Sequence, residues 1–411
     1  MADKRTEIKQ KKSGLVSLIV FLITLVVVLI TLTSVVFPAF VLGSTNGIKY
    51  PVKINIFETG IWTYPLLITN FILLLTGLLY STNRLPHQIT KSIKFIFNFE
   101  VSAKIAFIII AILLAVYIAF NISELWVDDP WEDFGRIVKP TLEEWTVDSI
   151  IKNPSDTHLV YVLGIISMKV FGYYTVTPFI ASIALLILTY YITKEISQKR
   201  FAGIVSMAIV LQSGNFLIYD TTITYPNFWT LFYLLSLYLI YKKWPLSPVS
   251  YILSIPAKTL TAAYLPMTLF FTYRASIARR RKIILLLSYV AIIVLIVASF
   301  FTFNILPVKH LAFNSHEFWA GFTAFSYESR HDGLIIMLLL PVTVGLFVAA
   351  RKGNTNADSV MVLMMGLLLL APLVTGLTFG FDNNPYRFIP LIVFVAMGVG
   401  TILSKRVTEH L

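Results

Sequence analysis

Apolar runs close to the roughly 20 residues that cross a bilayer recur along the whole chain, separated by short polar turns rich in Lys and Arg. They predict spans over 15–39, 61–80, 105–122, 175–193, 201–218, 225–241, 249–257, 263–273, 283–303, 333–350, 359–379 and 388–404. The expected fold class is all-α, a polytopic transmembrane helix bundle of about 12 spans, because a helix satisfies its own backbone in hydrocarbon.

Two segments depart from simple spanning. Between Lys243 and Arg274 lie 30 mostly apolar residues carrying Pro248, Pro256, Lys258 and Pro266, and both flanks are basic. Proline interrupts helix hydrogen bonding, so this stretch predicts two short helices in a hairpin with Lys258 and Thr259 at its tip. Broken helices at membrane depth belong where they line a cavity or are buried in protein. The second segment is the apolar run 159–171. It reaches only about 20 Å as a helix, against a hydrocarbon core of about 30 Å, and is expected along the membrane surface.

Charge then orients the bundle. Of the 33 Lys and Arg, 23 fall in runs that this topology places in the cytoplasm, whereas 15 of the 21 Asp and Glu fall outside. The Lys/Arg bias puts both termini in the cytoplasm and the large loops 123–174 and 304–332 outside. A net charge of +12 then belongs to lipid head groups rather than to nucleic acid. The expected localisation is a multi-pass cell membrane. The first apolar run, 15–42, is too long for a cleaved signal-peptide core and reads as an uncleaved anchor. Zero cysteines exclude disulfides and thiolate metal sites. No Gly-rich phosphate loop, dinucleotide fingerprint or nucleophilic triad signature is present.

The polar chemistry concentrates in the outer loops. Asp128, Asp129, Glu132 and Asp133 lie within six positions of one another, a few residues past the third span. Neighbouring like charges and partial burial raise a carboxyl's affinity for protons, which suits a general base acting on a hydroxyl. A solvated acidic turn capping the next helix has the same composition. His310, His316 and His331 match no metal-ligand spacing.

From about residue 105 to its C-terminus the chain resembles the GT-C membrane glycosyltransferases, in particular the protein mannosyltransferase and aminoarabinose-transferase branch. The resemblance rests on order and spacing: the span 105–122, the acidic pair Asp128-Asp129, the run from His158 to Phe171-Gly172, and a span ending Lys194-Glu195-Ile196. It continues through Tyr219-Asp220 to Tyr225-Pro226, the helical pair around Lys258, and Tyr386-Arg387-Phe388-Ile389-Pro390. Three features depart from that pattern. Two spans precede the acidic loop, the pair is Asp-Asp rather than the commoner Asp-Glu, and Leu159 rather than Pro follows His158.

The resemblance implies a GT-C-like domain over 105–404, with two extra spans and a cytoplasmic loop over 1–104 and a cytoplasmic tail over 405–411. It further implies a sugar on a polyprenyl (dolichol-like) phosphate as donor, and a protein, glycan or lipid hydroxyl as acceptor on the extracytoplasmic side. The anomeric carbon would be inverted. Asp128 or Asp129 would be the base, with Glu132 and Asp133 as secondary acids. Lys258, Arg387, Arg136, His158 and Tyr386 would hold the lipid phosphate and donor, and Tyr219 and Asp220 would line the acceptor pocket. No cofactor is fixed by the resemblance, which leaves room for a divalent cation. A transporter, which binds substrate at interrupted helices, and a scaffold that keeps only the fold are the competing readings.

Overall fold

The computed structural model describes residues 2–38, 40, 55, 57–152, 156–302, 313–330, 332–377 and 385–404. It is 82% helix, with no strand among those residues. Among the described residues, seven helices are long and apolar enough to cross a membrane: Gly14–Val36, Thr63–Ser81, Ala103–Trp126, Val176–Ser197, Gly333–Arg351, Thr355–Leu377 and Pro385–Ile402. This composition makes the chain a membrane protein. Ile105, Phe107, Ile112, Val116 and Phe120 of the third helix are exposed, as an outer face solvated by hydrocarbon requires.

In chain order the α-helices are α1 (Ala2–Val36), α2 (Thr63–Ser81), α3 (His87–Asn98), α4 (Ala103–Asn121), α5 (Lys139–Glu144), α6 (Asp148–Lys152), α7 (His158–Phe171), α8 (Val176–Ser197) and α9 (Arg200–Leu211). They continue with α10 (Gly214–Ile218), α11 (Phe228–Lys242), α12 (Ser247–Ser254), α13 (Leu265–Arg274), α14 (Arg279–Thr302), α15 (Ser315–Glu328), α16 (Gly333–Arg351), α17 (Thr355–Leu377) and α18 (Ile389–Ile402). α18 is the axis of the bundle: Leu391, Val393, Val395 and Met397 are fully buried, and α8, α9, α16 and α17 pack around it. Several buried hydroxyls bond to backbone carbonyls within the bundle. Thr189 and Thr401 bond back to the carbonyls of Leu185 and Met397, and Ser206 reaches across to Ala396 O at 2.7 Å. Such back-bonding is how a polar side chain is tolerated inside a helix.

The broken hairpin is present. α12 ends at Ser254, a 3-10 turn spans Thr259–Tyr264, and α13 follows from Leu265. Tyr251 Oη donates to Thr261 O at 2.9 Å and Thr261 Oγ1 to Ser254 O at 2.9 Å, which locks the two arms together. The hairpin begins and ends at one pole of the bundle. There Lys242 pairs with Glu195 at 2.6 Å, Asn356 Nδ2 donates to Ile196 O, and Arg274 pairs with buried Asp358 on α17. Lys258 lies at the opposite pole.

Other segments differ from the periodicity. The run 201–218 is broken into α9 and α10, because Ser213 leaves the helix to cap α10 by accepting from Phe216 N at 3.0 Å. The run 225–241 yields only the 15 residues of α11, since the residues before Phe228 wrap around Asp129. Two helices were not anticipated. α3 falls in a basic turn, with Ile89, Phe95 and Ile96 exposed on its surface. α15 occupies the second large loop, where Asn314 caps it by accepting from His316 N at 2.9 Å and Glu317 N at 3.3 Å, and Phe322 and Phe325 are buried.

The first large loop is held close to the bundle. It carries a 3-10 turn at Ile122–Trp126, a π turn at Phe134–Val138, and α5 to α7. α7 packs on α8, ends at Gly172 in the left-handed region (φ +80°), and meets the hairpin through Leu159 N to Pro256 O at 3.2 Å.

Candidate functional site

Three segments far apart in sequence converge at the pole that holds Lys258: the acidic loop, the 219–227 turn, and the turn before α18. Asp129 makes the first junction. It is buried, and its Oδ2 accepts from Thr222 Oγ1 (2.5 Å), Ile223 N (2.9 Å), Thr224 N (3.0 Å) and Thr224 Oγ1 (3.0 Å), while Oδ1 accepts from Trp131 N (3.2 Å). Four of these five donors engage Oδ2, which ties that oxygen to the turn, while Oδ1 keeps a single donor and Asp129 also borders the second cavity. The expected base Asp129 has the geometry of an anchor that ties the acidic loop to the turn.

That anchor sets an aromatic cluster. Trp131 stacks on Tyr219 (centroids 5.0 Å, 12° between planes) and meets Tyr225 edge-on at 5.4 Å; Tyr225 stacks on Tyr386 at 4.6 Å. A cavity of about 260 Å³ lies between Trp131, Asn215, Ile218, Tyr219, Tyr225, Arg330 and Pro385. The indole N–H of Trp131 is buried and has no hydrogen-bond partner among the described residues.

Two cations converge on the phenol of Tyr386. Lys258 Nζ donates to its oxygen at 2.6 Å and Arg387 Nε at 3.3 Å, and both also sit over the ring, Nζ 4.8 Å from its centroid and the guanidinium carbon 5.6 Å. The hairpin tip thus reaches the turn before α18. Asp382, which falls beside Arg387 in sequence, lies outside the described residues, as do His310, His331 and the 405–411 tail.

The remaining acids separate. Asp133 accepts from Tyr225 Oη at 2.6 Å through Oδ2 and from Arg136 Nη2 at 3.1 Å through Oδ1. The Tyr225 hydroxyl, and after it Arg136, hold the Asp133 carboxyl below the usual carboxylate range despite a small opposing effect of burial. Tyr225 moves the other way: burial first, then Asp133, raises its phenol above the ordinary value. Asp128 is exposed and lines a second cavity of about 300 Å³ with Lys139, Glu143, Met168, Tyr173 and Tyr174. Glu132 is exposed, and Arg136 pairs with Asp133.

Asp220 and His158 are buried outside the aromatic cavity. Asp220 accepts from Tyr117 Oη on α4 at 2.6 Å through Oδ2, and its Oδ1 has no partner among the described residues. Burial pushes its carboxyl up to about 7, offset in part by the Tyr117 hydrogen bond and reinforced by Glu124. Of the pair Tyr219-Asp220, Tyr219 lines the cavity and Asp220 is turned towards Tyr117. His158 Nδ1 accepts from Trp145 Nε1 at 3.3 Å. Its backbone neighbour touches Pro256, two residues from Lys258.

Of the residues singled out in the sequence, Tyr219, Tyr386, Lys258, Arg387 and Asp133 come together. Trp131, Tyr225 and Arg330 complete the site and were not singled out. An aromatic inside the acidic run and a Tyr-Pro pair ending the turn were the available signals; Arg330 was visible only as one of several polar residues in the loop 304–332. Among the described residues no three His, Asp or Glu side chains are grouped as metal ligands.

Comparison with protein-family models, with curated proteins and with solved structures finds no match.

Proposed function

We propose that this chain is a GT-C-like glycosyltransferase that moves a sugar from a polyprenyl phosphate to an acceptor hydroxyl on the extracytoplasmic side. The observation that carries the reading is the convergence of Lys258 and Arg387 on Tyr386, beside a cavity walled by aromatic faces. Sugar rings present flat C–H faces that pack on aromatic rings, while their hydroxyls need fixed hydrogen-bond partners such as the Trp131 indole. A phosphate leaving group gains negative charge as the glycosidic bond breaks. Cations already fixed beside it stabilise that charge without reorganising. A broken hairpin that delivers Lys258 from membrane depth fits a donor whose lipid tail remains in the bilayer.

The base is assigned to Asp133. It is the loop carboxylate hydrogen-bonded into the aromatic wall, through Tyr225; its lowered proton affinity keeps it ionised but makes it a weak base, so it orients the acceptor hydroxyl and takes the proton late, as the new C–O bond forms. Asp128 opens on the neighbouring cavity and is the alternative base if the acceptor enters there. In chemical terms the acceptor oxygen attacks the anomeric carbon, its proton passes to the carboxylate, and the electron pair of the broken C–O bond stays on the polyprenyl phosphate.

The test is transfer of radiolabelled hexose from a panel of polyprenyl-phosphate sugars by proteoliposomes of the full chain. Asp133→Asn is expected to lower transfer by about 10²-fold or more with insertion unchanged. Loss in Asp128→Asn alone would move the base to the second cavity. Transfer that survives both substitutions would contradict the catalytic assignment.

A further inference from the structure

α3 lies between two spanning helices and continues neither of them. α2 and α4 are both long and apolar enough to cross a membrane, so the connection 82–102 leaves and re-enters at one membrane face. Both ends of α3 turn sharply. α2 stops where Asn83 takes the left-handed region (φ +55°), and Pro86 is extended before α3 begins. Phe99 is extended after Asn98, and Ser102 caps α4 by accepting from Ile105 N at 3.2 Å.

The residues of α3 divide by the helical period. Ile89, Ile93 and Ile96 fall at i, i+4 and i+7 on one side, while His87, Lys91, Lys94 and Asn98 fall at i, i+4, i+7 and i+11 on the other. None of the residues of α3 is buried, and Ile89 and Ile96 are 46% and 47% exposed. An apolar stripe left uncovered by its own chain is unfavourable in water. Between the ends of two spans, what adjoins it is the boundary of head groups and acyl chains, where an amphipathic helix lies flat with its apolar side down.

Charge selects the head group. Between Glu58 and Glu100 the chain carries Arg84, Lys91 and Lys94 and no Asp or Glu, and all three cations are exposed. A helix is about 10–12 Å across, close to the screening length of about 8 Å at physiological salt. Lys91 and Lys94 therefore feel the lipid phosphates although they leave from the polar side, and their long stems bend towards them.

The bundle fixes the C-terminal turn of α3. Lys199 Nζ donates to Phe97 O at 2.7 Å and to Ile96 O at 3.5 Å, a cation placed at the negative end of the helix dipole. Glu100 Oε1 accepts from Arg200 N at 3.2 Å, and Phe99 meets Phe201 edge-on at 4.9 Å. These contacts tie α3 to the turn between α8 and α9, two helices that pack on α18.

We propose that α3 is a binding surface for anionic lipid, lying in the membrane interface with Ile89, Ile93 and Ile96 among the acyl chains and Lys91 and Lys94 on acidic head groups. The proposal is independent of the glycosyltransferase reading and uses none of that site's residues.

The chain has no cysteine, so a single introduced one carries a fluorescent label alone. Full-length Ile93→Cys and Asn98→Cys are labelled with nitrobenzoxadiazole and reconstituted in phosphatidylcholine vesicles. The label at Ile93 is expected to be quenched by phosphatidylcholine carrying a doxyl group high on its acyl chain and shielded from aqueous iodide. At Asn98 the reverse is expected, and Ile89→Cys should repeat the Ile93 result. Moving the doxyl group to a minority of phosphatidylglycerol then reports how far anionic lipid is enriched beside Ile93. Each lysine is expected to contribute about fivefold, so Lys91→Gln with Lys94→Gln should lower the enrichment by at least that factor, and Lys91→Arg with Lys94→Arg should keep it. Equal iodide quenching at Ile93 and Asn98 would overturn the proposal by placing α3 in water. Shielding of Ile93 from both quenchers would overturn it in favour of a protein surface, such as a second copy of this chain. Enrichment unchanged in the double Gln variant would overturn the selection of anionic lipid by these lysines.

Discussion

Asp129→Ala separates an anchoring carboxylate from a catalytic one. The substitution removes the acceptor of five hydrogen bonds and strands the buried donors of Thr222 and Ile223 and the half-buried donors of Thr224 and Trp131. A hydrogen bond to a charged group contributes about 1.5–3 kcal/mol, and each buried donor left unpaired costs about 1–3 kcal/mol. Water will reach some of these groups once the loop lifts, so a net loss of about 3–5 kcal/mol is expected, the range seen when one partner of a buried charged network is removed. The assay is thermal unfolding of the full chain in detergent, followed by tryptophan fluorescence, which also reports on the neighbouring Trp131. A fall in midpoint of at least about 5 °C is expected. Asp129→Asn should lie between, since its carbonyl can still accept while the charge is gone. An Asp129→Ala protein as stable as wild type, with transfer abolished, would refute the anchoring argument and return Asp129 to the chemistry.

Three other outcomes follow from the same geometry. Arg274→Ala leaves Asp358 buried without its cation, so it should destabilise by about 3–5 kcal/mol, and adding Asp358→Asn should restore part of the loss. Tyr225→Phe deletes the leading cause of the lowered Asp133 carboxyl, so the acid limb of the pH–transfer profile should move to higher pH; an unmoved limb would argue against Asp133 as the base. Asp220 binds its proton more tightly folded than unfolded, with the folded carboxyl at about 7. Its contribution to stability is therefore full at low pH and falls as pH rises from the ordinary Asp range of about 4 towards 7, a slope that Asp220→Asn should flatten in thermal scans.

Much of this architecture was legible from hydropathy alone, because length and apolar content decide whether a helix can cross a bilayer. The hairpin could be read because basic flanks and interrupting prolines leave few alternatives, and Lys258 stood out as a cation inside an apolar stretch. α15 was hidden because its polar cap and scattered aromatics look like a loop until Phe322 and Phe325 are seen to bury one face. The acidic run was visible as composition, but composition cannot separate Asp129, whose Oδ2 takes four donors, from Asp133, which shares a proton donor with the cavity wall. Trp131, Tyr219, Tyr225 and Tyr386 come from three distant segments, and no local spacing rule connects them. Arg330 joins that cavity from the second large loop.

The central claim is that the cations gathered on Tyr386 hold the phosphate of a lipid-linked sugar. The most direct measurement is radiolabelled hexose transfer from polyprenyl-phosphate donors in proteoliposomes, comparing wild type with Lys258→Met and Arg387→Met at saturating acceptor. Wild-type transfer that falls by about 10²–10³-fold in either variant, with the protein still inserted and folded, is the predicted result. Transfer by wild type that persists in both variants would contradict the account, and so would a wild type that transfers sugar from none of these donors.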